Sequence, residues 1–179
     1  MTMINEGACD AGGPMRDIIS NLCSEATSSI LPLLLPTANN LARMEPSMDC
    51  FRLNPDSKEP FELEKFSHLG YFLGWSLRVK GSLAIDLPLC FWQRICHGSI
   101  NYVYSLEDLR ELDVFRADML AMIKQHAREL DSDEEFAAYY DGYTFEASLS
   151  DNNTIELCPN GTNKALTRAN AGEFVELFL

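Results

Sequence analysis

The sequence predicts an α+β fold that is mainly helical and carries one small antiparallel β-hairpin near its C-terminal end. Three observations predict it. Apolar residues recur at helical spacing through residues 18–26, 63–79 and 115–130. The period then drops to two between residues 143 and 158, around a turn-forming Asp151-Asn152-Asn153. Of the 179 residues, 46% are apolar and 23% charged, enough apolar material for a core and too much for a disordered chain. This length suits one domain or a large part of one.

Taken in order, the stretch 5–13 is a glycine-rich turn, and Pro14 suits the first turn of a helix, where an N–H would have no partner. Ile18, Ile19, Leu22, Cys23 and Ala26 form that helix's stripe. Residues up to about Pro60 are dense in Pro and Asn and predict extended segments and turns. In the helix 63–79, Leu63, Phe66, Leu69, Leu73 and Leu77 make one stripe while Phe72, Trp75 and Val79 lie elsewhere. A helix apolar nearly all round predicts burial, and Gly70 and Gly74 predict the close approach of another backbone. Gly81 ends it. Asp86 is the expected cap of a helix over 87–96, with Pro88 near its start and Gly98 after its end.

Ser105-Leu106-Glu107-Asp108 has the form of a capping box, and Asp113 caps the next helix, whose face is read as Phe115, Met119, Met122, Ile123, His126 and Leu130. Asp131-Ser132-Asp133-Glu134-Glu135 interrupts the pattern and is expected to be a solvated loop, since the Gly and distal Glu of a calcium loop are missing. Strands follow over 143–149 and 154–158, then a Pro159-Asn160-Gly161 turn. Thr167 caps a last helix with Phe174, Val175, Leu177 and Phe178 as its apolar positions. No capping signal ends that helix, so the natural chain is expected to continue.

Composition narrows the function classes. Against 27 acidic residues stand 14 Lys and Arg, a formal charge of −13, which disfavours nucleic acid and anionic membrane surfaces as partners. The apolar run 30–36 is too short to span a bilayer and contains two prolines, and residues 1–10 lack the form of a signal peptide. Cys9, Cys23, Cys50, Cys90, Cys96 and Cys158 are therefore read as reduced thiols of a cytoplasmic or nuclear protein. No internal repeat or low-complexity tract occurs.

Chemistry-bearing motifs are sparse. Cys90, Cys96 and His97 lack metal-ligand spacing and read as a buried thiol beside surface groups. His68 and His126 sit on predicted helices, packed or solvent-facing. No Gly-x-Ser-x-Gly elbow is present, and the N-terminal glycines lack the Lys-Ser/Thr of a phosphate loop. No catalytic residue, metal or cofactor is assigned from the residues.

The order of segments carries more. Glu6-Gly7-Ala8-Cys9-Asp10-Ala11-Gly12-Gly13-Pro14 before a helix resembles the opening of the HECT ubiquitin-ligase domain. Phe66-Ser67-His68-Leu69-Gly70-Tyr71-Phe72-Leu73-Gly74 followed by Leu83-Ala84-Ile85-Asp86-Leu87-Pro88 is similar to that family's buried helix and its continuation. Ser105-Leu106-Glu107-Asp108-Leu109-Arg110-Glu111-Leu112-Asp113, Leu157-Cys158-Pro159-Asn160-Gly161 and Leu166-Thr167-Arg168-Ala169-Asn170 with Glu173-Phe174-Val175-Glu176-Leu177 resemble later family segments in the same order. The Pro-rich stretch 31–40 and Asn54-Pro55 are closest to the HERC-type subgroup.

The resemblance implies that residues 5–179 are a partial N-lobe, preceded at 1–4 by a tag or flexible start, with the end of the N-lobe and the C-lobe absent. It implies a transferase whose partners are a ubiquitin-conjugating enzyme, ubiquitin, substrate proteins and its own C-lobe. That lobe carries the cysteine that accepts ubiquitin as a thioester, in a Thr-Cys-Phe context. Cys50 and Cys90 precede phenylalanines but follow Asp49 and Leu89, within the N-lobe match, so the fragment alone is expected to be inactive. The family's surface for a second ubiquitin uses an aromatic near residues 30–35, where Leu and Pro stand here. The alternatives are a non-catalytic HECT-like interaction module and an unrelated helical protein, which would lack the hairpin packed beside helices.

Overall fold

In the computed structural model the described residues are 13–31, 33–98, 102–148 and 153–179. The expected start at 1–4, the N-terminal glycine-rich turn up to Gly12 and the turn residues Asp151 and Asn152 lie outside them. The chain divides into two compact units, Met1–Cys96 and His97–Leu179.

In the first unit, α1 (Gly13–Ala26) carries Pro14 in its first turn and buries Ile19, Cys23 and Ala26, spaced by four and three residues. These meet Leu34, Leu73, Ile85 and Leu87 in one apolar cluster. Strands β1 (Leu34–Pro36) and β2 (Phe51–Leu53) pair antiparallel, with Leu35 opposite Arg52. Between them runs α2 (Ala38–Ala42), a helix in a region expected to be only extended segments and turns. Its cap is Thr37, whose hydroxyl accepts the Asn40 N–H at 3.1 Å. Five residues are too few to show a period.

Helix α3 (Pro60–Arg78) starts on a Glu59–Glu62 capping box with Pro60 in its first turn. It ends in a Schellman arrangement: the Gly81 N–H reaches the Ser76 carbonyl at 2.8 Å and the Lys80 N–H the Leu77 carbonyl at 3.2 Å. The left-handed residue is Lys80, with φ 55°, rather than glycine. Gly81 serves another need, because a Cβ there would overlap the Ile19 side chain.

Two expectations for α3 are corrected. Only Leu73 and Ser76 are buried, while Leu63, Tyr71 and Leu77 are 54, 78 and 61% exposed. No atom comes within 4 Å of where a Cβ would stand on Gly70 or Gly74, so no backbone approaches them among the described residues. The apolar pattern states what the helix can bury and does not say which faces find a neighbour.

Ser76 is fully buried with no hydrogen-bond partner for its hydroxyl among the described residues. An unpaired buried hydroxyl costs about 1–3 kcal/mol, and alanine is the better helix former. Ser76→Ala is expected to raise stability by about 1 kcal/mol, seen as a higher urea midpoint at unchanged slope.

Helix α4 spans Leu89–His97, and Gly98 follows with φ 80°. Asp86 is not its cap. It is bridged in extended form to Cys50, and its carbonyl accepts the Phe51 N–H at 2.8 Å. The reason lies in Pro88, which disfavours helical geometry at Leu87, so the helix begins only beyond the proline.

The second unit opens with α5 (Leu106–Leu112), capped as expected: the Ser105 hydroxyl accepts the Asp108 N–H at 3.2 Å, and Asp108 accepts the Ser105 N–H at 2.8 Å. Asp113 closes α5 through its N–H to Leu109 at 2.7 Å. It also opens α6 (Val114–Glu129) by accepting the Arg116 N–H at 3.0 Å, so one residue makes the corner. The buried face of α6 is Val114, Ala117, Leu120 and Ile123. Phe115 and Met122, expected on it, are 62 and 52% exposed. Small residues allow close packing there, which a reading weighted by side-chain size misses.

Helix α7 (Asp133–Tyr140) corrects the expected loop. Ser132 caps it, its hydroxyl accepting the Glu135 N–H at 3.1 Å, and Asp133, Glu134 and Glu135 form the first turn. Their charges suit the positive end of the helix dipole, and they remain exposed.

Strands β3 (Glu146–Ser148) and β4 (Thr154–Glu156) form the predicted antiparallel hairpin, shorter than expected, with Ala147 opposite Ile155. Asn160, at φ 62°, takes the left-handed position of the following turn. The Thr167–Asn170 capping box shapes a 3-10 turn that leads into α8 (Ala171–Phe178). Leu120, Ile123, Phe136, Phe145, Leu166 and Phe174 are central to the core, and Leu157 and Cys158 of the hairpin region pack against it. A hairpin seated on a helical layer removes the ground for the unrelated-helical reading.

Candidate functional site

Nucleophilic chemistry would need an exposed thiol with a base beside it. Cys23, Cys50 and Cys90 are buried, Cys158 is half-buried and Cys96 is exposed. Cys50 lies just before β2, in the bridge to Asp86, and Cys90 in the first turn of α4. Cys90 and Cys96 are six residues apart on that helix, about 9 Å along its axis, too far for one ion with bonds of about 2.3 Å. No trio of His, Cys, Asp or Glu able to hold a metal is present among the described residues.

Two of the three histidines have structural partners. His68 is exposed, and its Nδ1 lies 2.9 Å from the Glu64 carbonyl, so that nitrogen carries the proton. His126, half-buried on α6, has Nδ1 at 2.9 Å from the Tyr140 hydroxyl of α7. Burial, then the neighbouring Tyr143 and Tyr139, raise the Tyr140 phenol above its ordinary value. The phenol stays protonated, and the imidazole tautomer sets which of the two groups donates. The two residues are fourteen apart, and no sequence period joins them.

Glu146 and Glu156 stand directly opposite each other on β3 and β4. Facing carboxylates repel, and two threonines offset this. The Thr144 hydroxyl donates to Glu146 at 2.6 Å, and the Thr162 hydroxyl to Glu156 at 2.6 Å, with the Thr162 N–H adding a bond at 3.2 Å. The hydroxyl of Thr162 holds the Glu156 carboxyl below the usual carboxylate range, helped by its N–H and the backbone of Asn160. A lowered folded-state value means that this contribution is present above the unfolded value and lost as pH falls through the folded one. Thr162→Val is expected to raise the Glu156 value, read by an NMR titration of its side-chain carboxyl. An unchanged titration would contradict the assignment.

Two apolar clefts lie in the first unit. One, of 230 Å³, lies where Leu22 and Ala26 of α1 meet Leu31, Leu33, Leu69 and Phe72. Its ring comes from α3, since the 30–35 stretch has no aromatic. The other, of 360 Å³, runs between α3 and α4, with Gly70, Leu73, Gly74, Phe91 and Trp92 along it.

These features define a mainly helical scaffold with apolar clefts and, among the described residues, no cysteine shown hydrogen-bonded to a histidine. The family model described as HECT-domain (ubiquitin-transferase) matches residues 21–179, and the chain belongs to that family. It is 27% identical over 174 residues to the E3 ubiquitin-protein ligase HERC2 of Mus musculus and 26% identical to that of Homo sapiens. Each match covers 97% of this chain and 3% of the relative. It is also 27% identical to the E3 ubiquitin-protein ligase UPL5 of Arabidopsis thaliana, over 95% of this chain and 18% of the relative. The chain thus spans a small fraction of these relatives.

Proposed function

We propose that this chain is N-lobe scaffold of a HECT ubiquitin-protein ligase. In that protein ubiquitin passes from a conjugating enzyme to a cysteine of a C-lobe, as a thioester, and then to a substrate lysine. The carrying observation is the family match across residues 21–179, supported by relatives named as E3 ubiquitin-protein ligases. The reactive cysteine is proposed to lie outside these 179 residues. The burial of Cys50 and Cys90 supports assigning it to neither, because a thioester-forming thiol must meet two proteins at once. The parent protein is proposed to work in the cytoplasm, with the nucleus as the other compartment, and cysteines outside any disulfide among the described residues suit a reducing environment.

The test is thioester formation with ubiquitin, activating enzyme and a panel of conjugating enzymes, read on gels with and without reductant. The full-length parent is expected to form a reductant-sensitive adduct and the isolated 179 residues none. Cys50→Ala and Cys90→Ala in the parent are expected to keep the rate within about twofold, a change under 0.5 kcal/mol. An adduct on the isolated chain, lost in either variant, would overturn the assignment. A parent that never forms one would instead make this a non-catalytic HECT-like interaction module.

A further inference from the structure

We draw no further inference here: the strongest candidate, the apolar groove between α3 and α4 with Gly70 and Gly74 along its floor, carries nothing because nothing in the structure shows what covers it.

Discussion

Phe174→Ala is expected to destabilise the protein by about 3–5 kcal/mol, the usual cost of emptying a fully buried phenylalanine site. Phe174 is 1% exposed and sits among side chains brought together from three helices and the hairpin region. Its ring meets Phe145 edge-on at 5.3 Å and Phe178 at 5.9 Å. Fixed neighbours on so many elements leave the site little room to collapse, which is what makes such a cavity expensive. A domain's net stability is about 5–15 kcal/mol, so the loss is a large share of it. Urea unfolding followed by far-UV circular dichroism measures it. Leu177→Ala, on the same helix but at a position 42% exposed, is the control and should cost far less. Equal midpoints for the two variants would show that α8 does not anchor this core.

Elements whose signals are local were legible in the sequence. Ser105 with Asp108 and the corner at Asp113 are complete within four residues, and both caps form as the residues predict. The period-two stretch yields the hairpin for the same reason: its register follows from which face is apolar. Where a local signal met a competing local rule, the weaker reading failed. Asp86 looks like a cap, but Pro88 disfavours helical geometry at Leu87, the first residue of the helix that it would begin. Ser132 followed by three acids is a helix start, and attention to charge as a loop marker hid it.

Burial was less legible because it is a property of pairs. The stripe on α3 is visible in the sequence, and the neighbour that would cover it is not. Ala117 and Ala171, both fully buried, are small, and a pattern ranked by side-chain size passes them over. The candidate site divides the same way. Ordered motifs carried the family, because each reflects a local turn or cap. The His126–Tyr140 pair and the Phe72 ring beside Leu31 and Leu33 exist only once the chain has folded. The sole sequence hint for the former is an imidazole on a half-apolar helix face, which is common to many helices.

Gly161→Ala is expected to cost about 2–3 kcal/mol, at the upper end of what a single added methyl costs in a packed site. The Pro159-Asn160-Gly161 turn suggests that the glycine is there for its backbone freedom, but the left-handed residue is Asn160. Gly161 is needed for space: it is buried, and a Cβ on it would overlap the Phe145 carbonyl oxygen. That oxygen is a backbone atom and cannot rotate aside. It also accepts the Leu157 N–H at 2.8 Å, while the Phe145 N–H donates to the Gly161 carbonyl at 3.1 Å. Relief of the overlap therefore lengthens hydrogen bonds that tie the hairpin to the turn. Amide exchange separates this cause from a general loss of stability, since the Leu157 and Phe145 amides should lose protection ahead of those in α6. Asn160→Gly supplies the contrast, because glycine accepts a positive φ without strain and adds no atom. It is expected to leave both amides and the urea midpoint near those of the parent. If Gly161→Ala behaved the same way, the close approach of the two backbone segments would be wrong.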